Sequence, residues 1–132
     1  GIVKFIDIAA QAGVEDMSAG MSVSWADADQ DGDLDLYVSN MWSSAGNRIT
    51  YQRQFQENSD EESLKGFRRH ARGNSLFINS GNGTFKDLSL ESGTSMGRWA
   101  WGSRFADINN DGLQDILVAN GFITQPEDSG DL

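Results

Sequence analysis

Two stretches of the chain concentrate side-chain oxygens at a regular spacing. In the first, Asp27, Asp29, Asp31 and Asp35 stand at positions 1, 3, 5 and 9 of a loop that carries Gly32 at position 6. In the second, Asp107, Asn109, Asp111 and Asp115 take the same positions around Gly112. Alternate residues of a tightly curled loop point inward, so this spacing aims oxygens at one centre. Calcium is a hard cation that takes six to eight oxygens at about 2.3–2.6 Å, and a Gly at position 6 permits the sharp bend. The neutral amide oxygen of Asn109 still coordinates. Position 7, Asp33 in one loop and Leu113 in the other, would offer its backbone carbonyl, which is why an apolar Leu113 is tolerated there. Magnesium is the weaker candidate, because it prefers an octahedral shell with several retained waters. A lone Asp-Gly pair is more often a plain turn. Two matches at the same five positions favour the cation.

Neither loop is an EF-hand. That site needs a bidentate Glu at position 12 and a flanking helix on each side. Position 12 is Val38 in one loop and Val118 in the other. Asp35 and Asp115 must then close the sites directly, and the residues that follow have strand character.

The formal net charge is −10. Much of it is crowded into the two loops, where carboxylates repel one another unless a cation lies between them. Two bound Ca²⁺ would take the charge from −10 to −6, since each adds two. So acidic a chain has no basic stripe for nucleic acid, and no apolar run is long enough for membrane insertion. With no cysteine, disulfides and thiolate metal sites are excluded. The chain opens on Gly1 and shows no signal peptide, as expected of a processed or excerpted product.

The elements that hold the loops show up when residue n is laid over residue n+80. Phe5 then falls on Phe85, Asp7 on Asp87, Gly13 on Gly93, Ala26-Asp27 on Ala106-Asp107, and Asn40 on Asn120. Repeats of this kind imply stacked supersecondary units. Strands are expected at 21–26 and 101–106, entering the loops, and at 35–39 and 115–119, leaving them. Residues 75–79 and 84–88 alternate around Ser80-Gly81-Asn82-Gly83, a hairpin whose Asn82-Gly83 supplies positive φ. Val3–Ile8 matches Gly83–Leu88 and is expected to be the last strand of a preceding unit. An insertion over about 41–73 accounts for the length of the repeat. Within it, Ser59 to Glu62 reads as a capping box and predicts a short amphipathic helix over about 60–72, with Leu64, Phe67 and Ala71 on one face and Gly73 as its stop.

Trp25 through Asn40, with its Ala-Asp-Ala-Asp-Gln-Asp-Gly-Asp-Leu-Asp core, resembles the repeat of FG-GAP/VCBS proteins, as does Asn74 through Phe85 followed by Asp87. The resemblance covers nearly everything outside the insertion. It implies an all-β fold of β-propeller type, with antiparallel four-stranded blades like those of integrin α chains, each Asp loop joining two adjacent strands around Ca²⁺. Trp101-Gly-Ser and Val118-Ala-Asn-Gly121 are most similar to bacterial members that carry an ASPIC/UnbV-type domain. Residues 1–132 hold roughly one blade and parts of its neighbours, a partial propeller read as a single repeat region. Exposed edges and faces then call for other blades of a larger chain, or for copies donating strands head to tail, even into a filament. A compact sandwich of the same strands is the third arrangement.

Other residues have plainer readings. Lys65, Arg68, Arg69 and Arg72 share a helix face, expected to be solvated and paired with acids such as Glu61 to Lys65. His70 is expected at the surface, and Trp25 and Trp101 in the core. Asn82-Gly83-Thr84 is a formal glycosylation sequon in a tight turn. No nucleophile motif, phosphate loop or zinc signature is present, and no acid stands isolated for glycoside hydrolysis. The chain is therefore expected to be a non-catalytic, calcium-binding structural or adhesive module outside the cytoplasm, where calcium is abundant. The alternatives are a propeller segment that binds a protein or glycan ligand through the insertion and exposed Trp residues, or a self-assembling fibre subunit. With four carboxylates against three and an amide, the first site is expected to bind more tightly.

Overall fold

The computed structural model describes residues 2–121. It is built mostly of antiparallel strands with a few short helices. Strands β1 (Gly20–Ala26), β2 (Asp35–Asn40), β3 (Ser75–Asn79) and β4 (Phe85–Asp87) form a four-stranded meander in that order, the arrangement of one propeller-like blade. Strands β5 (Ala100–Ala106) and β6 (Asp115–Asn120) form a second, two-stranded sheet. The repeat of the sequence is a repeat of structure. Ala26 pairs with Asp35 and Ala106 with Asp115, and β1 and β5 shift register at equivalent places, Gly20/Ser22 and Ala100/Gly102.

Alternation along the strands sorts the first sheet into two faces. Ser22, Ser24, Tyr37 and Leu76 face β5. The Ser22 hydroxyl accepts from the Ser103 amide at 2.8 Å, and that of Ser24 accepts from the Phe105 amide at 3.2 Å. Tyr37, Leu76 and Phe105 are the buried centre between the sheets, with Tyr37 and Phe105 edge to face at 6.1 Å. Burial pushes the Tyr37 phenol up to about 12, and it donates to the Thr94 carbonyl at 3.0 Å.

The other face carries Trp25, Leu36, Phe77 and Asp87 in successive cross-strand register. The insertion supplies two helices, α2 (Ser44–Thr50) and α3 (Glu61–Arg72), which pack on each other, and α3 sets its arginines on this face. The Arg69 guanidinium lies 5.4 Å over the Phe77 ring and pairs with Asp87, as does Arg72 at 3.0 Å. Burial alone would raise the Asp87 pKa, but the Ser89 hydroxyl and amide and the two guanidiniums outweigh it and hold it at about 2.

Asp60, not Ser59, caps α3, because its carboxylate accepts from both the amide and the hydroxyl of Ser63 at 2.8 and 3.0 Å. Those bonds keep its pKa below the ordinary aspartate range. Residues 3–8 form no strand, because among the described residues no strand equivalent to β3 precedes β1 for them to pair with; Phe5 is 93% exposed. A short helix α1 (Ala9–Ala12) follows. Trp25 and Trp101 are not core residues: both are about half exposed. Trp25 is on the face away from β5, where it meets Phe85 edge-on at 6.2 Å. In the β3–β4 turn the positive φ values belong to Gly81 and Gly83, while the Asn82 carboxamide accepts from the Thr84 amide. Arg69 and Arg72 are committed to the blade, and Glu61 pairs with Arg68 rather than Lys65.

Candidate metal centre

Each Asp loop is the connection between two paired strands, β1 to β2 in the first and β5 to β6 in the second. Both reverse the chain through two left-handed residues, Gln30 and Gly32 in one (φ 63° and 96°) and Asn110 and Gly112 in the other (62° and 86°). Gly32 and Gly112 meet this requirement without strain. The side chains then hold the backbone in matching ways. The position 1 carboxylate accepts from the amides at positions 5 and 6: Asp27 from Asp31 and Gly32 at 3.0 and 3.1 Å, Asp107 from Asp111 and Gly112 at 3.0 and 2.8 Å. The position 9 carboxylate reaches back to the amide at position 2, Asp35 to Ala28 at 2.8 Å and Asp115 to Ile108 at 3.0 Å. The position 5 carboxylate accepts from the amide at position 7 in both, Asp31 from Asp33 and Asp111 from Leu113.

In the first loop, carboxylate oxygens of Asp27, Asp29 and Asp35 lie within 4.8 Å of one another. Partial desolvation, then the charges of Asp31, Asp35 and Asp27, raise the pKa of Asp29 above the ordinary aspartate value, although its side chain is exposed. Three anions held this close are the electrostatic problem that a divalent cation solves. Asp31 is next to this group but outside it. The Asp33 carboxylate lies against Gly81 of the neighbouring hairpin, which leaves its carbonyl as its possible contribution. In the second loop Asn109 stands where Asp29 does, and its amide nitrogen donates to Asp111 at 2.9 Å.

One residue with a structural part in the first loop carries no signal in the sequence. The Asn79 amide, on β3, donates to the second oxygen of Asp35 at 2.8 Å, so Asp35 is wholly buried with both oxygens engaged. The contact depends on the register of β2 on β3, which no local pattern gives.

Residues 67–118 match the family model of the FG-GAP-like repeat. The matched span begins within α3, runs through the β3–β4 hairpin and takes in the second Asp loop, while the first loop lies before it. No curated protein and no solved structure matches the chain.

Proposed function

We propose that the chain is a calcium-binding structural repeat module in which each Asp loop holds one Ca²⁺ and stiffens a strand connection of its blade. One observation carries this reading: two loops eighty residues apart adopt the same backbone and the same carboxylate-to-amide bonds, and the first gathers three carboxylates within 4.8 Å. Asp27, Asp29 and Asp35 would hold the first ion, with Asp31 and the Asp33 carbonyl completing its shell. Asp107, Asn109, Asp111, Asp115 and the Leu113 carbonyl would hold the second. The ion supplies positive charge where the folded chain concentrates negative charge.

The reading extends to an adhesive or scaffolding role outside the cell, where calcium near the millimolar range suits modules of modest affinity, and to a non-catalytic chain. Neighbouring blades would cover the half-exposed Trp25 face and the edge of β6 that no described strand pairs. Thermal unfolding in calcium and in excess chelator tests the core of it. A ligand at about a hundred times its Kd adds roughly 2.7 kcal/mol per site, so melting should fall by several degrees on chelation and recover with calcium but not with equimolar magnesium. Identical melts in calcium and chelator refute it.

A further inference from the structure

We infer that the insertion builds a second binding site, a pocket for a neutral pyranoside between α2, α3 and the start of β5. A cavity of about 300 Å³ lies there, lined chiefly by Trp42, Trp99, Ser43, Ser44, His70 and Met41. This is at the lower end of the roughly 300–1,000 Å³ usual for small-molecule sites. Its frame is fixed. Met41 and Trp99 form an isolated antiparallel bridge, and the Trp42 amide donates to the Arg98 carbonyl at 2.8 Å. Behind it, Gly73 lets Trp42 lie so close that a Cβ there would come within 3.1 Å of the indole. The clasp of Arg69 and Arg72 on Asp87 ties α3 to the blade, so this wall does not depend on the helix alone.

The lining chooses the ligand. None of its side chains carries a fixed charge, in a chain of net charge −10, so nothing in the pocket rewards an ionic ligand. Two indoles offer the flat apolar surface that the C–H face of a pyranose needs. Polar groups accompany them: the Trp42 indole N–H and the Ser44 hydroxyl form no hydrogen bond among the described residues. The imidazole completes the set. Its Nδ1 is 3.1 Å from the Met17 carbonyl, which can only accept, so Nδ1 donates and Nε2 of the neutral ring is left as an acceptor. Donors and an acceptor beside aromatic faces match a hydroxylated ring. His70 also lines a larger hollow of about 520 Å³ with Met17 and Phe67, which gives room for an apolar aglycone. This site is independent of the calcium loops.

The test is a ¹H–¹⁵N titration of the full chain with methyl β-D-glucopyranoside, methyl β-D-galactopyranoside and, for charge, glucuronate. A saturable shift of the Trp42 indole N–H with one of the methyl pyranosides, weaker or missing with glucuronate, is expected. Ser44→Ala and His70→Ala, both at exposed positions, should each weaken binding about threefold to tenfold, the range for one neutral hydrogen bond. Trp42→Phe keeps the packing and removes the N–H, and should weaken it comparably, while Trp25→Ala should change nothing. The inference is overturned by the absence of a saturable shift with either methyl pyranoside, by affinity unchanged in all three pocket variants, or by shifts confined to Trp25 or Trp101.

Discussion

The two Asp loops share a backbone and differ in what surrounds it. In the first, position 9 is Asp35, buried beneath β3, with one oxygen on the Ala28 amide of its own loop and the other on the Asn79 amide of the third strand. In the second, Asp115 has its own-loop bond to Ile108, and among the described residues no third strand lies beside β6. The loop conformation is therefore a local property of the motif, because the same carboxylate-to-amide bonds form in both loops although only the first has a third strand among the described residues. The rigid seating of its closing carboxylate is a property of the complete blade. The largest predicted effect isolates that difference. In chelator, Asp35→Ala strips two part-buried amides of their acceptor and should cost about 2–4 kcal/mol. Asp115→Ala exposes one amide near solvent and should cost about 1 kcal/mol or less. Chemical denaturation of both variants measures the gap. Equal losses would mean that the third strand contributes nothing to the first loop.

A second contrast lies between Asp87 and its repeat counterpart Asp7. Each accepts from the amide two residues on, Ser89 and Ala9. Only Asp87 also meets two arginines, which the insertion supplies. Its folded pKa of about 2 lies below the ordinary 3.8. A carboxylate depressed in this way stabilises the fold above its unfolded pKa. That contribution is lost as pH falls from about 4 toward about 2. With the side chain 27% exposed, the loss should be about 1–2 kcal/mol after allowance for screening. Asp87→Asn should flatten stability over this window. An Asp87→Asn profile as steep as that of the parent would remove the clasp from the account.

These two cases show which parts of the fold the sequence discloses. The loops, the strands on either side and the β3–β4 hairpin are encoded in short patterns whose physics is local: alternating polarity, Asp at every second position, Gly where φ is positive. The eighty-residue offset adds a long-range statement, and its register was legible to the residue. What escaped depends on tertiary context. The Asn79 amide reaches Asp35 only through strand pairing, and Arg69 and Arg72 look like a solvated helix face until α3 is laid on Phe77. Residues 3–8 have the pattern of a strand, but pattern cannot say whether a partner edge is free. Trp25 and Trp101 are apolar enough for a core, yet alternation points Trp25 away from the β5–β6 sheet that packs on β1. In α3 the choice of cap between adjacent Ser59 and Asp60 went to the carboxylate, whose two oxygens each accept from Ser63, one from the amide and one from the hydroxyl.

Ligand charge makes a sharper comparison between the loops. Asp29→Asn gives the first loop the side-chain set of the second, and Asn109→Asp does the reverse. If charge count sets affinity, the first change should weaken its site and the second strengthen the other, each by about tenfold, or roughly 1.4 kcal/mol. Calorimetric calcium titration should then show the parent's affinity gap closing in either variant. A gap that persists in both would assign the difference to the buried seating of Asp35 instead.

The smallest effect concerns how the loops touch. The Gln30 side chain, at position 4 of the first loop, donates to the Gly112 carbonyl of the second at 3.0 Å. The Gly112 amide in turn donates to Asp107, a proposed ligand of the second ion. Gln30 reaches Gly112 from the left-handed conformation that its own loop imposes, so an ordered first loop holds a peptide of the second in place. Filling one loop should therefore favour filling the other, by about two- to fivefold for a single exposed hydrogen bond. Gln30→Ala keeps every carboxylate and should leave the first site's own affinity within twofold while abolishing this coupling. The coupling is read as the ratio of the second site's affinity in the parent to its affinity when Asp27→Ala disables the first loop. If that ratio is unchanged by Gln30→Ala, the two loops act independently and their contact is only packing.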